Sequence, residues 1–89
     1  MKSVHSSNRF KKDYRRMLKR GVDEERFTDV LNKLVVNEPL PERCRPHILS
    51  GGWAGFWECH ITPDWLLIYE FDDETVTLQR TGTHSDLFE

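Results

Sequence analysis

Apolar side chains recur every three or four positions through the first forty residues, and every second position after Pro41. The first period is that of helices buried along one stripe, the second that of strands. Ser6 or Ser7 suits the N-cap of a helix running to about Arg20, with Gly21 at its C′ position. Its predicted stripe is Phe10, Tyr14, Met17 and Leu18. Asp23 caps a second predicted helix, with Glu24 and Glu25 near its positive end. That helix buries Phe27, Val30, Leu31, Leu34 and Val35 and stops near Asn37, ahead of Pro39 and Pro41. Residues 2–5 read as a short edge strand. Strands are then predicted at His47–Ser50, Trp53–Ile61, Asp64–Phe71 and Glu74–Thr81, broken by Gly51-Gly52, Thr62-Pro63 and Asp72-Asp73. Such short connections imply antiparallel neighbours. The expected fold is α+β: a compact antiparallel sheet of four to five strands, with two N-terminal helices on one face and the other face open for function.

Composition narrows the classes. A chain of 89 residues holds one small domain, read as spanning 1–89. No stretch of eighteen apolar residues is present, so no membrane span is expected. Met1-Lys2-Ser3-Val4-His5 lacks the apolar core of a secretory signal, and Cys44 and Cys59 form no CxxC, which together suggest a cytoplasmic protein with reduced thiols. No repeat or low-complexity tract interrupts the chain. The formal net charge of −2 conceals a division: residues 1–46 balance at +5 and residues 47–89 at −7, with Arg80 the sole Lys or Arg of the second half. Arg9, Lys11, Lys12, Arg15, Arg16, Lys19 and Arg20 crowd the first helix, where Asp13 is the one acid. A solvated helix face is one reading of that run and contact with a phosphate backbone the other, and its density favours the second.

Alternation places Phe56, Glu58 and His60 on one side of their strand and Trp57, Cys59 and Ile61 on the other, unless a bulge inverts them. His47, His60, Asp64, Arg80 and His84 are the candidate chemical groups. Two histidines flanking a phosphodiester can exchange protons with the 2′-hydroxyl and the leaving 5′-oxygen, and an arginine can hold the phosphate. That chemistry needs no metal. Each residue also has a plainer use: His60 as a half-exposed strand residue, Asp64 as a turn residue after Pro63, Arg80 as the partner of a carboxylate. His47, His60, Asp64 and His84 lack the i, i+3 or i, i+4 spacing of helical metal ligands, and no phosphate-cradling or nucleophile-elbow motif occurs. Cys59 and His60 are adjacent on a strand and point apart, against a thiol nucleophile. Trp53, Phe56, Trp57, Trp65 and Phe88 are too many to bury together, leaving some rings to stack on bases at about 1–3 kcal/mol each.

Two segments, His60-Ile61-Thr62-Pro63-Asp64-Trp65-Leu66-Leu67-Ile68-Tyr69 and Arg80-Thr81-Gly82-Thr83-His84-Ser85-Asp86-Leu87-Phe88, resemble the YafQ branch of the RelE/ParE toxin superfamily. The likeness extends over Glu38-Pro39-Leu40-Pro41, the His47 segment and Gly52-Trp53, and Glu89 after Phe88 is the one small departure. It implies a type II toxin, an endoribonuclease that cuts messenger RNA in the A site of the 70S ribosome. It also implies a DinJ- or RelB-like antitoxin bound in a hetero-oligomer, and no cofactor. By the resemblance His47, His60, Asp64, Arg80 and His84 are catalytic, Trp65 and Phe88 position the substrate, and the cations of residues 9–20 bind ribosomal RNA. His84 is then the general acid and Arg80 the phosphate ligand, while His47, His60 and Asp64 all remain candidates for the base. A ParE-like inhibitor that only binds a target such as gyrase, or an inactive homologue acting as co-repressor with its antitoxin, is the alternative.

Overall fold

A computed structural model describes residues 1–88. The chain runs β1 (Ser3–Ser6), α1 (Asn8–Lys19), α2 (Glu24–Val35), a 3-10 turn (Glu42–Cys44), β2 (His47–Ile48), a second 3-10 turn (Gly51–Trp53), β3 (Trp57–Thr62), β4 (Trp65–Phe71), β5 (Thr75–Gly82) and α3 (His84–Phe88). Helix α1 starts where expected: the Ser7 hydroxyl accepts from the Phe10 N–H at 2.9 Å and donates to the Gln79 carbonyl at 2.8 Å, tying the cap to β5. Asp23 caps α2 through the Glu25 N–H, and Asn37 ends it in the left-handed region at φ 61°.

The five strands lie in the order β1-β5-β4-β3-β2. The run β2 to β5 is an antiparallel meander, but β1 pairs parallel with β5, so the sheet is mixed. A hairpin forces antiparallel pairing, and two helices separate β1 from the next strand, so no hairpin constrains its direction. Two other expectations are corrected, and one element is added. Residues 53–56 form a 3-10 turn and loop instead of the start of β3. Leu18 is exposed, and Asp13 takes its place among the buried residues of α1. The closing segment His84–Phe88 is a one-turn helix the pattern did not announce.

Phe10, Met17, Phe27 and Val30 from the helices pack on Cys59, Ile61, Trp65, Leu67, Tyr69, Val76 and Leu78. Fully burying one such side chain stabilises by about 1.5–3 kcal/mol. The opposite face is not bare. Leu66 and Ile68 are buried beneath Leu87, Leu49, Trp53 and Phe56, which form a second, smaller cluster. Strand β4 is therefore covered on both sides, and Trp65 to Tyr69 are buried without a break. Towards β2 this face carries the exposed His47 and the half-buried His60, while Glu58 and Arg80 are buried.

Candidate active site

Strand register brings distant residues into line. His47 pairs with Glu58, Glu58 with Ile68, and Ile68 with Arg80; in the next row His60 pairs with Leu66 and Leu66 with Gly82. With neighbouring strands about 4.8 Å apart, His60 and Gly82 stand roughly 10 Å apart across β4. His84 follows two residues beyond Gly82. The three histidines thus gather around one end of the sheet, although no pair of them is adjacent in sequence.

The His47 ring has both nitrogens placed. Nδ1 lies 2.7 Å from the Arg45 carbonyl, and Nε2 lies 3.3 Å from Glu58 Oε1. A carbonyl and a carboxylate are both acceptors, so the second contact is favourable when a proton lies between Nε2 and Oε1. Glu58 is only 6% exposed, and its Oε2 is buried without a hydrogen-bond partner. Buried polar atoms are normally satisfied, so an orphaned carboxylate oxygen marks Glu58 for attention. The alternation of β3 had put Glu58 beside His60, yet the residue was not singled out as chemical.

His60 is half-buried, with Nδ1 3.4 Å from the Pro63 carbonyl. Pro63 and Asp64 form the two-residue turn between β3 and β4, and Asp64 is exposed. His60 and Pro63 line a cavity of about 380 Å³ together with Arg43 and Arg45. Arg45 has φ 45° and ψ 53°, a left-handed conformation that costs a residue with a side chain about 1–2 kcal/mol. Its N–H donates to the Glu42 carbonyl at 2.9 Å, and its own carbonyl faces His47. Arg43 and Arg45 were not candidates in the sequence; their signal was position, immediately before His47.

Arg80 is occupied. Its Nε and Nη2 donate to Asp13 of α1 at 2.9 and 3.0 Å, and it is 9% exposed. Asp13 also accepts from the Thr81 N–H at 3.3 Å and from Arg16 at 3.1 Å. The hydrogen bonds to Asp13 hold the Arg80 guanidinium in its charged form, above its ordinary pKa. Of the two readings left open for Arg80, the carboxylate pair is realised, with an acid from the first half of the chain. The signal was available: Asp13 falls between Phe10, Tyr14 and Met17 on the buried stripe.

Trp65 must also be corrected. It is 1% exposed, it lies on the helix side with its ring 6.2 Å from Phe27, and its Nε1 donates to Thr81 Oγ1 at 2.7 Å. It cannot touch a base in this arrangement; it fixes Thr81, next to Arg80. Phe88 is 38% exposed and its ring lies 5.2 Å from that of His84. Helix α3, which carries both, is clamped: Thr83 and Asp86 cap each other, at 2.9 Å from the Thr83 N–H and 3.2 Å from the Asp86 N–H. Arg20 donates to both Asp86 oxygens at 2.6 and 3.2 Å. That bond, then the Thr83 N–H, holds the Asp86 carboxyl well below the usual range. Gly82 is required here, because a Cβ at this position (φ +156°) would lie 2.9 Å from Asp86 Cβ. Arg16 and Arg20 therefore spend their charge inside the molecule, while Arg9, Lys11, Lys12, Arg15 and Lys19 are exposed and in no ion pair among the described residues.

The two thiols are buried, and desolvation pushes the Cys59 thiol far up, so neither is poised as a nucleophile. Among the described residues no group of three or more His, Cys, Asp or Glu is arranged to hold a metal ion, and no helix is long and apolar enough to cross a membrane.

Helices on one face of a small mixed sheet, with imidazoles and guanidiniums at one end of the other, define a domain suited to acid–base chemistry on a phosphodiester. A family model for the bacterial toxin of type II toxin–antitoxin systems, YafQ, matches residues 2–89. The mRNA interferase toxin YafQ of Escherichia coli K12 is 35% identical over 88 residues, covering 98% of this chain and 96% of that protein. The crystal structure of YafQ from E. coli BL21(DE3) matches with a TM-score of 0.93 at 33% identity, covering all of both chains. YafQ in the E. coli DinJ–YafQ complex matches with a TM-score of 0.91 at 34% identity, again over all of both chains. This chain belongs to the YafQ family of type II toxins.

Proposed function

We propose that the protein is an mRNA interferase: a ribosome-dependent endoribonuclease that cuts messenger RNA by 2′-hydroxyl attack, leaving a 2′,3′-cyclic phosphate. The observation that carries the reading is the register that brings His47, His60 and the His84 segment to one end of the sheet. Family membership and the relatives called mRNA interferase toxin YafQ support it.

His60 is the general base. It takes the 2′-hydroxyl proton from its place on the edge of the Arg43–Arg45 cavity, whereas the His47 ring lies between the Glu58 carboxylate and the Arg45 carbonyl. His84, exposed at the start of α3, protonates the leaving 5′-oxygen, and Phe88 beside it stacks on a base. Asp64 orients the substrate side of the β3–β4 turn. Arg80 acts on the phosphate through what Asp13 leaves of its guanidinium, chiefly as a fixed positive charge behind the site. Arg9, Lys11, Lys12, Arg15 and Lys19 meet ribosomal RNA, which compensates for an acidic second half that offers free RNA little attraction. The partner in the resting cell is a DinJ- or RelB-like antitoxin, as in the E. coli complex, and the toxin acts in the cytoplasm.

Primer extension on cellular messages after induction of the toxin tests the reading. New 5′ ends within translated regions are the expected result. Growth arrest without any new ends would favour a binder of the gyrase-inhibitor type.

A further inference from the structure

We propose that the cavity lined by Arg43, Arg45, His60 and Pro63 is a second phosphate subsite, which takes the phosphodiester adjacent to the one cleaved. The inference rests on the ribonuclease reading and gives that site a substrate-gripping wall the sequence did not reveal. Cys44 is buried, 2% exposed, and anchors the Glu42–Cys44 turn to the core. Its two neighbours are thereby held on the surface, both exposed and both lining the same cavity as His60. The left-handed backbone of Arg45, pinned by Glu42 on one side and His47 on the other, sets the direction of the chain there. Asn or Gly would take that conformation more readily than Arg, and a strained residue beside a reactive group is a recurrent sign of function.

The chemistry of the wall selects the ligand. Arg43, Arg45 and His60 line it, and among the described residues no Asp or Glu does. Neither arginine is in an ion pair among the described residues, in contrast to Arg16, Arg20 and Arg80. Arg43 also borders a cleft with Arg26, Asp29 and Lys33, which extends the positive surface away from His60. A volume of about 380 Å³ exceeds what a lone phosphate fills and accommodates a phosphodiester with part of its ribose. Guanidinium forks match phosphate oxygens two at a time, so this pair would fix the strand on one side of the reacting nucleotide.

The test uses the full chain, programmed ribosomes, and messages in which one phosphate flanking the cleaved bond is replaced by a neutral methylphosphonate. Single-turnover cleavage is measured for the wild type and for R43Q/R45N, in which Asn keeps the left-handed backbone accessible. In the wild type, neutralisation on one side of the cleavage site should slow cleavage about tenfold. R43Q/R45N should cut the unmodified message about as slowly, with no further slowing by the methylphosphonate. R43K/R45K, which keeps the charge, should recover part of the loss. If the methylphosphonate slows R43Q/R45N by the same factor as the wild type, the arginines grip something else, such as ribosomal RNA, and the proposal is wrong. Absence of any methylphosphonate effect in the wild type on either side also overturns it. Cleavage of unmodified message by the wild type in the same assay keeps these outcomes separate from failure of the ribonuclease reading itself.

Discussion

The segment from Arg80 to Phe88 and the segment from Arg43 to His47 flank the same end of the sheet, and they treat charge in opposite ways. In the first, Asp13 holds Arg80, Arg20 holds Asp86, and Thr83 and Asp86 cap each other. In the second, Arg43 and Arg45 stand exposed around a cavity, and only the His47 ring is committed, to Glu58 and the Arg45 carbonyl. One segment is fixed by ion pairs so that His84 and Phe88 are presented in a set position. The other leaves its cations for a ligand. A cation counted in the sequence is therefore not the same as a cation available to RNA.

The largest effect should come from the fixed segment. His84→Ala should lower mRNA cleavage on programmed ribosomes by about 10²–10⁴-fold, the range of a lost general acid, while antitoxin binding stays near wild type. His47→Ala should cost less than His60→Ala, because both nitrogens of the His47 ring are already engaged, at 2.7 Å from the Arg45 carbonyl and 3.3 Å from Glu58. An equal or larger loss from His47→Ala would move the base to the other side of the comparison.

The ion pair behind this segment should matter next. Asp13→Ala leaves the Arg80 guanidinium buried beside α1 without its counter-charge. Breaking one side of a buried pair costs about 3–5 kcal/mol, so thermal unfolding should begin at least about 12 °C lower. Arg43→Gln, on the open side, should move the midpoint by no more than surface substitutions do.

Asp86 gives the same contrast a pH dependence. Its carboxyl titrates below the ordinary aspartate range in the folded chain, so the folded state binds fewer protons there than the unfolded one. Its contribution is present above the unfolded pKa, near 4, and is lost as pH falls through the lower folded value. Denaturant midpoints measured from pH 6 down to pH 2 should fall less steeply for Asp86→Asn than for the wild type. Identical slopes would mean that the Arg20 clamp does not hold α3 in solution.

The smallest effect concerns the first helix. Lys11→Gln with Lys12→Gln should weaken ribosome binding and reduce the salt dependence of log K against log salt by about 2, if each lysine meets one phosphate. Arg16→Gln with Arg20→Gln should reduce it less, since both guanidiniums are engaged with Asp13 and Asp86.

The helices and the meander were legible because their buried faces repeat at fixed periods, and the N-caps Ser7 and Asp23 follow local chemistry. The direction of β1 was not, since strand orientation across two helices is a tertiary fact. Residue chemistry nominated His47, His60 and His84 and the resemblance assigned their roles, but what brings them to one end of the sheet is register, which no local pattern displays. Partnerships across the chain were the least visible. Asp13 and Arg80 lie 67 positions apart, and Arg20 and Asp86 lie 66 apart, yet both pairs decide what an apparently free arginine does. Trp65 was one of five aromatics too many to bury together, and the resemblance gave it a substrate-positioning role, but strand alternation puts it with Leu67 and Tyr69 in the helix-side core. Arg43 and Arg45 became visible only when the Glu42–Cys44 turn placed them beside His60.

The proposed chemistry turns on attack by the 2′-hydroxyl, driven by histidines and not by an external water. It is tested most directly with a ribosome-bound message carrying a single 2′-deoxy nucleotide at the position normally cleaved. Loss of cleavage at that position, with a 2′,3′-cyclic phosphate on the product of the unmodified message, is the expected result. Undiminished cleavage at the 2′-deoxy position would contradict it.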